Sequence, residues 1–434
     1  MNIRLYNAKI LTMEKDRDVF PGEVWVKNDR IAYVADEEEL SSEWGQDFPR
    51  IVWDIELDCK GNLLMPGFKN AHTHSAMTFL RSYTDDVPLD VWLNEKVFPL
   101  EAKLTGEDIY DLTKLAILEY LTSGITAIFE MYLTPDTIAE ACMDMGMRCV
   151  LTSGLNNFSS SVSQMEEEYQ KWNKKNSLIS YQLGFHAEYT CSRELLYKVV
   201  QLSHKLRAPV YTHLAETEQE VEACRKRYGM TPAVFLDTLG MFEYGGGGYH
   251  CVHMTAQDMD VFRRRRLYVI TNPASNMKLA SGIAPIADYE KRKISVAIGT
   301  DGPASNNCLD MFREMFLVTG LSKLREKDAA SLDAMRVLRM ATVHGAKAMR
   351  LPKADVLAKG KLADMILIDL HQPNMQPVHN IPKNLVYSGS KSNVCMTMVG
   401  GKILYRNGEY NVGEDVDTIY RRCGDIVKRI LGDR

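Results

Sequence analysis

The chain has 434 residues, 45% of them hydrophobic and 25% charged, with a formal net charge of −5. That is the composition of an ordinary globular protein, and the charge excludes a general attraction to nucleic acid or anionic membranes. No apolar run approaches the roughly 18 residues that a membrane-spanning helix needs. The opening MNIRLYNAKILTMEKD alternates like a strand and lacks an apolar signal core, so a cytoplasmic protein is expected.

In chain order, residues 1–60 read as short strands and turns: IRLYNAKILTM, GEVWVKNDRIAYVAD and RIVWDIELDCKGNLL. Residues 356–434 do the same through ADMILIDL and VCMTMVGGKILYRNGEY, then end in a helix from about Asp415. Neither end carries a complete core, so the two termini are expected to close one small β-sandwich domain. Between them, residues 61–355 alternate short apolar runs with amphipathic stretches, the pattern of parallel βαβ units. The eight runs are LLMPGFKNAHTH, GITAIFEM, RCVLTSGL, SYQLGFHAEY, PVYTHLAE, GGYHCVHM, LYVITNP and SVAIGTD. Eight repeats predict an α/β fold built on a (β/α)8 TIM barrel. An open doubly wound sheet is the alternative, but no run is followed by a GxGxxG or P-loop pattern. Gly245–Gly248 reads as a loop ahead of the sixth strand, and Arg263–Arg266 as a solvated helix end. Nine cysteines without a CxxC motif point to free thiols in a reducing compartment.

Polar residues gather where the apolar runs end. His72 and His74 close the first run, His186 and Glu188 the fourth, His213 and Glu216 the fifth, His250 the sixth and Asp301 the eighth. These are the C-terminal ends of the strands, where barrel active sites form. His72-Thr73-His74 sets two imidazoles on one strand face, roughly 6–7 Å apart at the backbone. With His213 and Asp301 they make a three-histidine, one-carboxylate set for one divalent ion, most fittingly Zn2+, with Fe2+ and Mn2+ compatible. Glu216 is placed to carry protons to a leaving group, and His250 to hydrogen-bond the attacking oxygen. His186 and Glu188 could be acid/base groups, ligands or a substrate clamp. The remaining histidines, His253 among them, read as structural. No lysine ends the fourth run to bridge a second ion, which favours a single metal.

With MPGFKNAHTH, HLAE, YHC, GTDGPASNN and GKLADMILID in this order, the chain resembles the amidohydrolase superfamily over essentially its whole length. HTHSAMTFLRSYTDDVPLDVWLNEKVFPLEAKL and NPASNMKLASGIAPI are most similar to the deaminases of 5′-methylthioadenosine, S-adenosylhomocysteine and 5′-deoxyadenosine, within the group that includes chlorohydrolases and triazine hydrolases. The resemblance implies that Trp92 packs on the substrate, that Glu101 binds ribose hydroxyls and that His186 contacts substrate. It also implies a reaction in which Asp301 takes a proton from the attacking water, His250 guides the attack and Glu216 protonates the ring nitrogen as ammonia leaves.

Ser153 stands where members acting on S-adenosylhomocysteine carry an arginine, and NNFSSSVSQMEEEY supplies none. An amino-acid carboxylate tail then loses its guanidinium partner. The expected substrate is therefore a nucleoside with an uncharged 5′ group, such as 5′-deoxyadenosine or 5′-methylthioadenosine. The alternative is a free purine, pterin or triazine-type heterocycle. Glu188, without a counterpart in those deaminases, is expected either to hydrogen-bond substrate donors or to sit in an ion pair. A non-catalytic scaffold is the third reading, disfavoured because every candidate ligand is present. A homo-oligomer is compatible with the sequence, although no interface stripe stands out.

Overall fold

The computed structural model describes residues 1–36, 51–83, 85–88 and 91–432. Eight parallel strands, Phe68–Thr73, Ile125–Met131, Arg148–Thr152, Ile179–Ala187, Val210–Leu214, Gly246–His250, Tyr268–Thr271 and Ser295–Ile298, follow one another as neighbours in one sheet. The eighth returns to the first, where Asp301 N donates to His72 O at 3.0 Å and Thr300 N to Asn70 Oδ1 at 2.9 Å. These strands read as unbroken apolar runs because both of their faces are covered. Inside the barrel Ala71, Phe129, Val150, Tyr211, Tyr249 and Ile270 pack as a solid plug.

Several of the connecting helices start where the sequence offers a hydroxyl or carboxylate to the free N–H groups of the first turn. Thr105, Ser192, Thr217, Thr255 and Asp310 each accept such a bond. Arg263 and Arg264 are exposed as expected at the end of helix Ala256–Arg265, while Arg265 is partly covered and pairs with Asp237 and Glu243. All nine cysteines are free. Among the described residues no helix is long and apolar enough to cross a membrane.

A separate nine-stranded mixed sheet is built from both termini. The N-terminal half meets the C-terminal half where Leu63–Pro66 pairs antiparallel with Met365–Ile368, Leu63 opposite Ile368. The third N-terminal stretch, RIVWDIELDCKGNLL, begins at Arg50, and residues 37–50 lie outside the described residues; its strand is Ile55–Asp58. Asp364 anchors this sheet to the barrel floor. Its carboxylate receives Arg148 Nε at 2.6 Å and Nη2 at 3.0 Å, and Gly400 N at 2.7 Å.

Two local expectations are corrected. Gly246–Gly248 form the sixth strand itself rather than a loop before it. A Cβ on Gly246 would stand 1.9 Å from Val210 O, and one on Gly247 2.5 Å from Tyr268 O, so the glycines let the neighbouring strands close in. The fourth strand stops at Ala187, and Glu188–Thr190 turns into a short 3-10 helix. Glu188 therefore lies beyond the strand that it was expected to close with His186.

Candidate active site

The strand ends bring His72, His74, His213, His250 and Asp301 together. Ligand atoms of His72, His213 and His250, and of His72, His74 and Asp301, each fall within 4.8 Å of one another. Asp301 Oδ1 lies 3.2 Å from His74 Nε2 and 3.6 Å from His72 Nε2, and Oδ2 lies 4.0 Å from His250 Nε2. Asp301 has the left-handed φ of 60°, uncommon for a residue with a side chain, and hydrogen bonds on both sides hold it there. Ser275 Oγ and Ser305 Oγ donate to its Oδ2 at 2.5 and 3.0 Å.

The imidazoles are oriented through their far nitrogens. His213 Nδ1 donates to His186 O at 2.8 Å and His74 Nδ1 to Met131 O, which leaves both Nε2 lone pairs for a ligand. His250 Nδ1 meets Asn276 Oδ1 at 2.7 Å. His72 is fully buried, stacked on Tyr249 with ring centroids 3.8 Å apart, and neither of its nitrogens has a hydrogen-bond partner. A buried polar group without a partner is costly, and a divalent cation in the centre of this donor set would give His72 Nε2, the nitrogen that faces Asp301, a partner.

Burial, with the neighbouring histidines, pushes His72 and His213 well below the ordinary histidine range. They are neutral, as ligands must be. Burial acts the same way on His74, but the Asp301 carboxylate outweighs it and raises His74 to about 9. A cation held there would take the place of that proton on Nε2.

Glu216 stands beside this cluster, with Oε2 3.8 Å from His250 Nε2 and Oε1 receiving Ser281 Oγ at 3.4 Å. Burial raises its carboxyl above the usual range, which suits a group that carries a proton. His186 is also close, its ring centroid 4.9 Å from that of His213, and burial with the charges of His74 and His250 lowers it to about 4.

Trp92 is buried in the helical segment Trp92–Val97, and Glu101 ends the next one, Phe98–Glu101. Glu101 lies near enough to His74 and Tyr132 for both to act on its carboxyl, which burial raises. Glu101 Oε1 and the Tyr132 hydroxyl are buried without a well-formed hydrogen bond. The loop ahead of this segment is tied down by Asp85, which receives Lys278 Nζ and Asn307 Nδ2 from the loops after the seventh and eighth strands.

Ser153 and Glu188 both hold contacts within the protein. The Ser153 hydroxyl accepts Leu155 N at 3.0 Å within its own loop. Glu188 is buried and pairs with Arg227 Nη2 at 2.5 Å, on helix Glu218–Tyr228 behind the strand. The ion pair expected for Glu188 is present through Oε2, and its Oε1 is buried without a hydrogen-bond partner. His253 is structural as expected, donating Nε2 to Ser281 O at 2.6 Å.

Three buried glutamates around this site escaped the sequence reading. Glu130, raised to about 7 by burial, accepts Ser75 N at 2.9 Å just after His74. Glu220 accepts the N–H groups of Ala215 and Glu216, both at 2.8 Å. Glu314 accepts Ala274 N at 3.0 Å, in the loop that carries Ser275 and Asn276. Glu130 ends an apolar run, so the strand-end rule that found the histidines reaches it too. Glu220 and Glu314 lie on helices and carry no such mark.

The sequence profile of the amidohydrolase family matches residues 63–404. The chain is 36% identical over 428 residues to a 5-methylthioadenosine/S-adenosylhomocysteine deaminase of Caldanaerobacter subterraneus subsp. tengcongensis, covering 97% of this chain and 96% of that protein. It is 39% identical over 434 residues to the enzyme of that name from Desulfitobacterium hafniense, covering 99% and 98%. Among solved structures it is similar to an adenosine deaminase from Xanthomonas campestris with bound zinc, with a TM-score of 0.92 and 30% identity over 100% of this chain and 98% of that one.

Proposed function

The chain belongs to the amidohydrolase family, and on that footing we propose that it is a metal-dependent aminohydrolase of an adenosine-like nucleoside with an uncharged 5′ group. The observation that carries this reading is the buried, partnerless His72 within a ring of three more histidines and Asp301, with Glu216 at its side. A divalent ion, most fittingly zinc, held by His72, His74, His213 and Asp301 would lower the pKa of a water toward neutrality and make it a nucleophile at neutral pH.

Asp301 takes the proton of the attacking water on its carboxylate, while Ser275 and Ser305 hold Oδ2 in place. His250, with Nδ1 committed to Asn276, orients the water through Nε2 toward the amidine-like ring carbon. Glu216 delivers a proton to the adjacent ring nitrogen; the proton held by Asp301 then passes to the exocyclic amine, which leaves as ammonia while the new hydroxyl returns its proton to Glu216. The partnerless oxygen of Glu101 suits the ribose hydroxyls, and buried Trp92 offers an apolar face to the substrate. His186 is neutral beside His213 and hydrogen-bonds substrate. The absence of arginine from NNFSSSVSQMEEEY supports an uncharged 5′ group over an amino-acid tail. The same reading places the enzyme in the cytoplasm without a nucleic-acid partner, in keeping with a net charge of −5, and is compatible with a homo-oligomer.

Ammonia release measured across 5′-deoxyadenosine, 5′-methylthioadenosine, S-adenosylhomocysteine, free purines, pterins and aminotriazines tests it. The first two are expected to give the highest kcat/KM. Turnover of free bases alone would contradict the role given to Glu101.

A further inference from the structure

Glu220 is the third residue of helix Glu218–Tyr228, whose N-cap is Thr217. In a capping box the carboxylate at this position turns back to the N–H of the N-cap itself. Glu220 reaches past it. Its Oε1 accepts Ala215 N and its Oε2 accepts Glu216 N, each at 2.8 Å. The cap does not need this contact, since Thr217 Oγ1 already accepts Glu220 N at 3.1 Å.

The peptide so gripped is an unusual one. Ala215 holds a left-handed φ of 51°, a conformation that is unfavourable for a residue with a side chain and persists only where its surroundings enforce it. From the other side, Ala215 O accepts Val252 N at 3.0 Å and His253 N at 2.9 Å, directly after His250. The turn that aims Glu216 is thus fixed at its N–H groups by Glu220 and at its carbonyl by the loop carrying His250. Glu220 is buried, and among the described residues no lysine or arginine forms an ion pair with it. A buried carboxylate spent on two backbone N–H groups is costly, and capping alone does not account for it.

We propose that Glu220 is a positioning residue for proton transfer: its two oxygens lock the Ala215–Glu216 turn so that the Glu216 carboxylate stays beside His250 Nε2. The proposal rests on the proton-carrying role given to Glu216 above, and it adds the group that holds Glu216 in register.

The test uses the metal-loaded full chain with Glu220→Gln, which keeps the shape and one acceptor oxygen, and Glu220→Met, which keeps neither oxygen. Glu218→Gln, at an exposed first-turn glutamate, is the control. Amide exchange followed by mass spectrometry on peptides spanning 214–217 is expected to speed up in both Glu220 variants, more in Glu220→Met, and to match wild type in the control. With 5′-methylthioadenosine, kcat is expected to fall roughly 10- to 100-fold at unchanged metal content, with KM moved little. In a Glu216→Gln background, Glu220→Gln is expected to remove no further activity, because the two act as one unit; a merely structural role would add its own loss.

Wild-type exchange at residues 215 and 216 in both Glu220 variants overturns the proposal whether or not the protein deaminates. Additive losses in the double variant overturn it as well. Accelerated exchange in a protein whose wild type releases no ammonia from any nucleoside keeps the lock and refutes the deaminase reading instead.

Discussion

His74 Nε2 lies 3.2 Å from Asp301 Oδ1, so the end of the first barrel strand touches the end of the eighth through two groups of the metal-binding cluster. The backbone repeats the link, Asp301 N donating to His72 O at 3.0 Å. The cluster therefore sits on the seam that closes the barrel. Substitution Asp301→Asn keeps the size of the side chain but removes its charge. Metal retained after dialysis, measured by elemental analysis, is expected to fall at least about tenfold. Full retention would show that Asp301 is not a ligand.

Glu188 separates a structural role from a substrate contact. Its carboxylate is buried against Arg227, which is itself partly exposed, so the pair is screened on one side. Glu188→Gln leaves one buried oxygen facing a guanidinium without its counter-charge. A stability loss of about 1–2 kcal/mol in urea unfolding is expected, discounted for that exposure. Turnover of the preferred nucleoside should stay within a factor of about two of wild type. A large rise in KM with unchanged stability would restore the substrate contact.

Lys69 gives a pH signature away from the active site. Its amine is fully buried on the first barrel strand, donating to Gly67 O at 2.6 Å and Thr126 Oγ1 at 2.8 Å, and burial lowers it from 10.5 to about 8. Between those two values the unfolded chain holds a proton that the folded chain has released. Unfolding then takes up a proton, so stability rises with pH through that window, by about 1.4 kcal/mol per unit where the window is fully open. Below about 8 both states are protonated, and the full cost of burying the charge remains. Relative to Lys69→Met, wild type is expected to gain stability from pH 8 to pH 10 in urea unfolding. A difference that stays flat over that range would contradict the shift.

The sequence made the barrel legible because parallel strands buried on both faces are written as short apolar runs, and each of the eight runs quoted contains one barrel strand, although the first also carries Leu63–Pro66 of the terminal sheet. His72, His74, His213, Glu216, His250 and Asp301 were legible for a related reason: a charged or imidazole group is costly to bury at the end of such a run for packing alone. What stayed hidden depends on partners far along the chain. Glu188 meets Arg227, 39 residues on, only once a helix has folded back over the strand. The hydrogen bond of Glu314 to Ala274 spans 40 residues. Glu220 was hidden differently. It lies close to Glu216 in sequence, but helix-start patterns assign its position to capping, and only the left-handed turn at Ala215 reveals another use. Gly246–Gly248 misled because glycine usually marks a loop; here the strand spacing between Val210 and Tyr268 required it.

Metal dependence of nucleoside deamination is the most direct test of the central claim. The protein is stripped with a chelator, and ammonia release from 5′-methylthioadenosine is followed as Zn2+ is added back. Activity is expected to vanish on stripping and to return in proportion to bound metal, reaching its plateau at one ion per chain in wild type and not returning in His72→Ala. Undiminished ammonia release from the stripped protein, or full recovery in His72→Ala, would contradict it.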